Sequence, residues 1–361
     1  KLSYHRSCLQ NHKYTIIELP LMGAMYSLII VSFLAIFFLN LGWVILNLYF
    51  FIVDGVQTLV VGSTFIENIY FSTYLKWILL IDAVWIISAL VFASTRSSYM
   101  TDPEHYLSVN PIDEPKIFVI IPAYNEEEVV EKVVKDYKNQ KYVQDVLLID
   151  NHSNDRTVEI AKSCGARVIT KDENKGFAHS CMVGMRESLK TDANIVAFTE
   201  CDGTYSGYDL GKMIPYLDNC HMVIGTRQIQ VLSEEKTQNT MFYVWGNYLL
   251  AKLIQLKYFS LRHLGIVELT DVGCMHRCIR KESVEKMINQ FVQPGTDEPV
   301  ITPGSGLSAI LMTMIGIENN LKIVEIPITF KKRIGTSKTF SDKRFRAIKY
   351  GFTFLRFIIS R

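Results

Sequence analysis

The chain lacks an excess of either charge: 38 Lys and Arg stand against 36 Asp and Glu, a formal net charge of +2 over 361 residues. That balance argues for no polyelectrolyte partner, and no nucleic acid is expected. It also lacks a disulfide framework, because its seven cysteines are scattered and nothing in their spacing calls for pairing. Cys274 and Cys278, with His276 between them, have no second ligand pair at zinc spacing, so they read as buried thiols and no zinc is expected. Internal repeats and low-complexity segments are absent. The chain begins with Lys1 rather than Met and stops inside an apolar pattern, Phe354 to Ile359, so further residues are expected at both ends. What is abundant is hydrophobicity, at 49%, enough for a catalytic domain and a lipid-embedded part.

The most localised absence is that of charge between Leu21 and Val53. A helix of that length reaches about 50 Å, beyond a bilayer core of about 30 Å, so tilt, a break near Asn40 to Gly42 or an interfacial end must absorb the excess. Tyr74 to Ala93, interrupted only by Lys76 and Asp82, is long enough for a second span. A signal peptide fits poorly, since the first run is too long and a second span follows. Asp54 to Thr73 has no Lys or Arg, whereas Lys1, Arg6 and Lys13 precede the first span and Arg96 follows the second; both ends are expected on the cytoplasmic side. Asp82 should face protein, stay neutral or lie near an interface, in a structural role. The expected division is a cytosolic segment 1–20, two transmembrane helices within 21–95, a linker 96–115, a catalytic domain 116–338 and a basic amphipathic juxtamembrane helix 339–361.

Within the catalytic segment, short β-rich runs alternate with helical patterns. Strands are expected at Ile117 to Pro122, Val146 to Asp150, Arg167 to Thr170 and Ile195 to Thr199; helices at Glu126 to Asn139, Asp155 to Cys164 and Gly176 to Leu189. This rhythm predicts an α/β domain with a mostly parallel sheet, whose ligands gather at the carboxyl ends of strands. Tyr124-Asn125, Asp150-Asn151 and Glu200 to Asp202 all fall at such ends. Glu200 and Asp202, separated by one residue at the end of a buried strand, suit a hard divalent cation, Mg or Mn, shared with a diphosphate. The competing reading, a plain turn at Asp202-Gly203, is what an isolated acidic pair would usually mean. Asn125 and Asp155 are also good helix caps. Asn151-His152-Ser153 matches a glycosylation sequon, discounted for a cytosolic domain.

The ordered set Ile120 to Glu126, Ile149-Asp150-Asn151 to Thr157, Asn174 to Ala178, Glu200 to Tyr205, Gly225-Thr226-Arg227, Asp271 to Cys274 and Glu325 to Lys338 resembles family 2 glycosyltransferases of the GT-A fold, in particular the dolichyl- and polyprenyl-phosphate hexosyltransferases. The resemblance spans about residues 115 to 350. It implies a Rossmann-like GT-A domain in which Pro122, Tyr124, Glu126, Asp150 and Lys175 contact the nucleotide, and Glu200 and Asp202 hold the metal and diphosphate. Glu200 stands where that family usually has Asp, which leaves Asp202 the surer ligand. Cys274 and its neighbours depart from the small polar or glycine-rich turn usual there. A processive polysaccharide synthase is disfavoured, because none of the four Trp lies in a Gln-x-x-Arg-Trp motif.

Lys331 to Lys338 is a basic, glycine-containing turn after a strand, suited to a phosphate. By resemblance Arg333, Ser337 and Lys338 hold the lipid phosphate; a solvated surface loop is the alternative. Asp342 to Ile359 then places Phe345, Ile348, Phe352, Leu355 and Ile359 on one helical face with basic residues interspersed, which reads as an interfacial helix. Met241 to Phe259 is a second apolar helix that bilayer proximity and ordinary packing explain equally. The expected reaction is inverting transfer of a hexose from a nucleotide sugar to dolichyl or polyprenyl phosphate at the cytoplasmic leaflet. UDP-glucose is the first choice of donor, with GDP-mannose and UDP-N-acetylglucosamine as alternatives. Arg227 would contact phosphates or acceptor, and Asp271 would orient the sugar or handle a proton. The rivals are transfer to another lipid or glycan and a non-catalytic nucleotide-sugar-binding scaffold. Expected partners are the nucleotide sugar, the lipid phosphate and the bilayer; a homo-oligomer is left open.

Overall fold

The structure is a computed structural model that describes residues 28–45, 48–49, 52, 73–95, 111–235, 237, 240–258, 268–301, 306–335 and 344–361. The chain divides into two compact units, one containing the helices before residue 96 and residues 356–361, the other residues 111–258 and 268–355 of the described chain. The expected segment 1–20, the loop 54–72 and most of the linker lie outside the described residues, as do Ser337 and Lys338.

In the first unit, helices α1 (Leu28–Ile45) and α2 (Thr73–Thr95) are each long and apolar enough to cross a membrane. Asp82 faces protein as expected: Asn40 Nδ2 donates to its Oδ1 at 3.1 Å and its Oδ2 at 3.2 Å. Trp85 Nε1 donates to the Ile29 carbonyl at 3.1 Å and its ring lies 4.9 Å from that of Phe33.

The second unit is built on a seven-stranded sheet: β1 (Ile117–Ala123), β2 (Val143–Asp150), β3 (Arg167–Thr170), β4 (Ile195–Phe198), β5 (Met222–Thr226), β6 (Arg277–Arg280) and β7 (Ile323–Pro327), in the order β3-β2-β1-β4-β6-β5-β7. β1 is buried along its whole length, as a β-branched run covered on both faces requires. The helices that pack against the sheet include α3 (Val130–Lys138), α4 (Thr157–Ser163), α5 (Gly176–Leu189) and the short α6 (Leu210–Met213). The chain continues through α7 (Met241–Tyr258), α8 (Lys281–Phe291), α9 (Ser308–Glu318) and α10 (Arg344–Ser360). α9 is buried from Ser308 to Ile317, and on α10 Ile348 and Phe352 are exposed.

Strand direction determines where the chemistry gathers. β1 pairs in parallel with β2 and β4, β2 with β3, and β5 with β7, while β6 runs antiparallel to both β4 and β5. Two antiparallel steps restore direction, so β1 to β5 and β7 all present their carboxyl ends at one edge and β6 its amino end. The chain reverses its strand order on either side of β1, the switch point at which such sheets form a crevice.

The strands and helices expected from the sequence are present, with shifted starts: β2 begins at Val143 rather than Val146, α4 at Thr157 rather than Asp155 and α3 at Val130 rather than Glu126, so Asn125 is not the cap of α3. Asn125 instead takes a left-handed backbone (φ 53), accepts from Asn154 N at 2.8 Å, and donates its own N–H to Ser153 Oγ at 2.9 Å. Its polar groups are spent on the neighbouring loop.

Candidate active site

At the shared carboxyl edge the loops after β1 and β2 are laced together. Glu126 N donates to Thr157 Oγ1 at 2.8 Å, and Glu127 N to Asp155 Oδ2 at 3.2 Å. Pro122 and Asp150 are buried at the ends of adjacent strands, and both Asp150 oxygens accept from Ser153 N at 3.2 Å. Tyr124 is half-buried and Glu126 buried beside them. Lys175, directly before α5, points its Nζ to Glu298 at 3.0 Å and to Glu173 at 3.6 Å, so the structure spends its charge on an ion pair at this rim.

After β4 the chain turns through Glu200, Cys201, Asp202 and Gly203. Thr204 N and Oγ1 donate to Asp202 Oδ1 at 3.0 and 2.6 Å, fixing the carboxylate. Gly203 is left-handed (φ 74), and an added Cβ would meet Val129 Cγ2 at 3.0 Å, so the tight turn has no room for a side chain. Half-buried Glu200 has its carboxyl held well above the usual range by burial and by the Asp202 charge beside it. Two crowded carboxylates at the end of a buried strand are a donor set that fits a hard divalent cation whose remaining coordination comes from ligand oxygens and water. Among the described residues no three His, Cys, Asp or Glu side chains form a self-sufficient cage.

The basic turn after β7 is stitched to this acidic turn. Lys331 N donates to the Thr204 carbonyl at 2.8 Å and Ile334 N to the Asp202 carbonyl at 3.1 Å. Between them Arg333 sends Nη1 to within 3.2 Å of Asp202 Oδ2 and Nη2 to 3.9 Å from Glu126 Oε1. Three side chains from motifs far apart in the sequence, Glu126, Asp202 and Arg333, therefore meet.

Arg227 leaves the end of β5 and is clamped by Asp271. Arg227 Nε donates to Asp271 Oδ2 and Nη2 to Oδ1, both at 2.7 Å, and Arg227 N adds a bond to Oδ2 at 3.1 Å. Gly273 N donates to Oδ1 at 3.2 Å, so the four acceptor positions of this buried carboxylate are occupied. A Cβ at Gly273 would meet Arg227 Nη2 at 2.9 Å, which accounts for a glycine here. The Arg227 guanidinium lies 5.3 Å from the Phe330 ring centroid. Burial opposes its charge, but Asp271 together with Tyr205 and Cys274 more than offsets burial and raises its pKa further. Asp271 is built as the arginine's counter-ion rather than as a free base.

Glu325 and Phe330, both within the Glu325 to Lys338 motif, are given no role by the sequence. Glu325 accepts from Thr270 N and Oγ1, both at 2.7 Å, and from Asp271 N at 3.2 Å. Burial pushes its carboxyl up to about 7. Cys274, Cys278 and His276 do not converge on a metal: Cys278 Sγ faces Met213 Sδ at 3.5 Å, His276 Nδ1 faces Tyr137 OH at 3.3 Å, and burial pushes the Cys274 thiol up to about 12.

Comparison with known proteins identifies the family. Residues 118–296 match the family described as Glycosyl transferase family 2. Protein RfbJ of Shigella flexneri is 34% identical over 127 residues, 34% of this chain and 91% of that protein. The dolichyl-phosphate hexose transferase of Haloferax volcanii is 26% identical over 220 residues, 61% of this chain and 85% of that one. The UDP-N-acetylglucosamine–dolichyl-phosphate N-acetylglucosaminyltransferase of Methanococcus voltae is 27% identical over 130 residues, 31% of this chain. The match spans about half, 51%, of the Methanococcus protein.

Proposed function

This chain belongs to glycosyl transferase family 2, and from that premise we propose that it transfers a hexose from a nucleotide sugar to a polyprenyl or dolichyl phosphate at the cytoplasmic face of a membrane. The observation that carries the reading is the meeting of Glu126, Asp202 and Arg333 in one crevice, with the basic turn hydrogen-bonded along the acidic one. A nucleotide held by the loops after β1 and β2 would direct its diphosphate toward Glu200 and Asp202. An anionic acceptor would enter beside Arg333. The names of the Haloferax and Methanococcus relatives support a lipid phosphate as that acceptor.

Glu200 and Asp202 would hold a divalent cation, Mg or Mn, which when bound supplies positive charge for a departing nucleoside diphosphate. The remaining work falls to the chain's own groups. Arg333 and Arg227 orient anionic oxygens, Arg333 as a guanidinium shared between two carboxylates and Arg227 as one fixed by Asp271. Pro122, Tyr124 and Asp150 shape the nucleotide cleft. Ser337 and Lys338, in the basic segment beyond the described residues, complete the acceptor contacts in this proposal. A phosphate oxygen is already anionic at neutral pH, so its attack on the anomeric carbon needs no strong general base, and family membership implies inversion. α1 and α2 would anchor the enzyme and α10 would lie in the headgroup layer.

UDP-glucose is the proposed donor. The test is radiolabel transfer by the detergent-purified chain from UDP-glucose, GDP-mannose and UDP-N-acetylglucosamine to polyprenyl phosphate, with Mn, with Mg and with chelator. A metal-dependent, lipid-extractable, acid-labile product from UDP-glucose is expected. The same product from another donor corrects the sugar alone, and nucleotide binding without any product would overturn the acceptor.

A further inference from the structure

Asp271 and Arg227 are 44 residues apart in sequence and lie on different elements, so their bidentate pairing needs something to hold the 270–271 turn at the right height. The hydrogen bonds identify it. Glu325 stands on β7, directly across from Ile224 of β5, two residues before the strand ends in Thr226 and then Arg227. Its Oε2 accepts both the N–H and the hydroxyl of Thr270, and its Oε1 accepts the N–H of Asp271. Thr226 Oγ1 lies 2.8 Å from Thr270 Oγ1, tying the same turn to the residue before Arg227.

We infer that Glu325 is a positioning residue: by fixing Thr270 and the backbone of Asp271 it sets where the Arg227 guanidinium points into the crevice. A carboxylate withdrawn from water is costly unless its acceptor positions are satisfied, and half-buried Glu325 takes three hydrogen bonds from backbone and hydroxyl donors of a single turn. The charged groups that act with it are Asp271 from that turn and Arg277 from β6, which is buried and donates to the carbonyls of Ala309 and Cys274. Arg277 is thus occupied elsewhere, and the turn is Glu325's principal load. Arg227 in turn has Asp271 along its edge and Phe330 against its face, leaving a defined direction for the rest of the guanidinium. The effect expected on transfer rests on the proposed role of Arg227; the position of the guanidinium does not.

Two readouts keep these separable in the full chain in detergent. The first is the Arg227 Nε–H resonance of arginine-labelled protein, assigned by its loss in Arg227→Lys. Glu325→Ala should shift or broaden it, and Glu325→Gln, which keeps one carbonyl acceptor, should move it less. An unmoved resonance in folded Glu325→Ala overturns the inference. Should Glu325→Ala fail to fold, Thr270→Val, which removes only hydroxyl bonds of the turn, is expected to move the same resonance, and no movement there overturns it. The second readout is a double-mutant cycle. Glu325→Ala should lower transfer about tenfold in the parent chain and less than about twofold in an Arg227→Ala background. Equal losses in both backgrounds would assign Glu325 a purely structural role and overturn the inference. Full activity of Arg227→Ala alone would instead remove the proposed role of Arg227, while the resonance still decides whether Glu325 positions it.

Discussion

Arg333 Nη1 stands 3.2 Å from Asp202 Oδ2, in the place where a cation bound by that carboxylate would share its oxygen. Arg333 and a divalent ion are like charges competing for one acceptor. Arg333→Ala should therefore tighten Mn binding to the nucleotide-free protein about tenfold, equivalent to about 1.4 kcal/mol, while transfer to the lipid phosphate falls. Arg333→Lys should lie between, since an ammonium cannot span Asp202 and Glu126 as a planar guanidinium does. Isothermal titration with Mn measures this directly; weaker binding in Arg333→Ala would mean that the arginine supports the cation site.

The two acidic residues should not be equivalent. Asp202 is oriented by Thr204 through Oδ1 and keeps Oδ2 for charge contacts, whereas Glu200 is longer and held toward its neutral form. Asp202→Asn should cost at least about a hundredfold in turnover with little change in melting temperature, and Glu200→Gln should cost less. Initial rates at saturating Mn, with thermal melts of each variant, test the order. A reversed order would make Glu200 the principal ligand.

Most of this edge was legible because strand ends can be read locally. A buried β-branched run that breaks into an acidic residue marks its own carboxyl end, as at Asp150 and Glu200, and parallel pairing then brings those ends together. The clamp on Arg227 was not legible. It depends on β6 inserting antiparallel between β4 and β5, a long-range pairing that leaves no periodic signal, and it makes Asp271 a saturated counter-ion. Asn125 misled for a local reason: its side chain has the chemistry of a cap, but Asn154 N claims it and the helix starts five residues later. Lys175 has the right charge for a nucleotide, and the fold adds a neighbour that local sequence does not show, Glu298 at 3.0 Å. A hint to Glu325 existed, an acidic residue inside an otherwise apolar strand, a position that calls for buried donors.

Within the first unit, Asp82 and Asn40 form an interhelical polar contact on two apolar helices. Removing one partner leaves the other without its bond in an apolar setting. Asn40→Leu should lower the stability of the helix pair by about 1 kcal/mol, and Asp82→Asn, which keeps an acceptor, by less. Thermal melts of the purified chain in detergent, read by tryptophan fluorescence because Trp85 bridges the same two helices through Ile29 and Phe33, give the comparison. An unchanged melt in Asn40→Leu would show that the pair is dispensable for helix association.

Beneath the crevice, His276 is wholly buried, stacked on Tyr205 with ring centroids 5.4 Å apart, and burial pulls its pKa down to about 4. The unfolded chain protonates this ring near pH 6.5, so between about 6.5 and 4 it binds a proton that the folded chain refuses. The ring's contribution to stability is thus fully present above pH 6.5 and is lost as the pH falls through that window, by up to about 3 kcal/mol. His276→Phe keeps the stacking and removes the titration. At pH 7 the variant should be the weaker by about 1 kcal/mol, because Tyr137 OH loses its contact with Nδ1, though Thr199 Oγ1 remains 2.7 Å away. At pH 4.5 the order should reverse, since only the parent must force a neutral imidazole into the core. Urea unfolding at the two pH values measures the crossing, and parallel losses in parent and variant would place the acid sensitivity in another group.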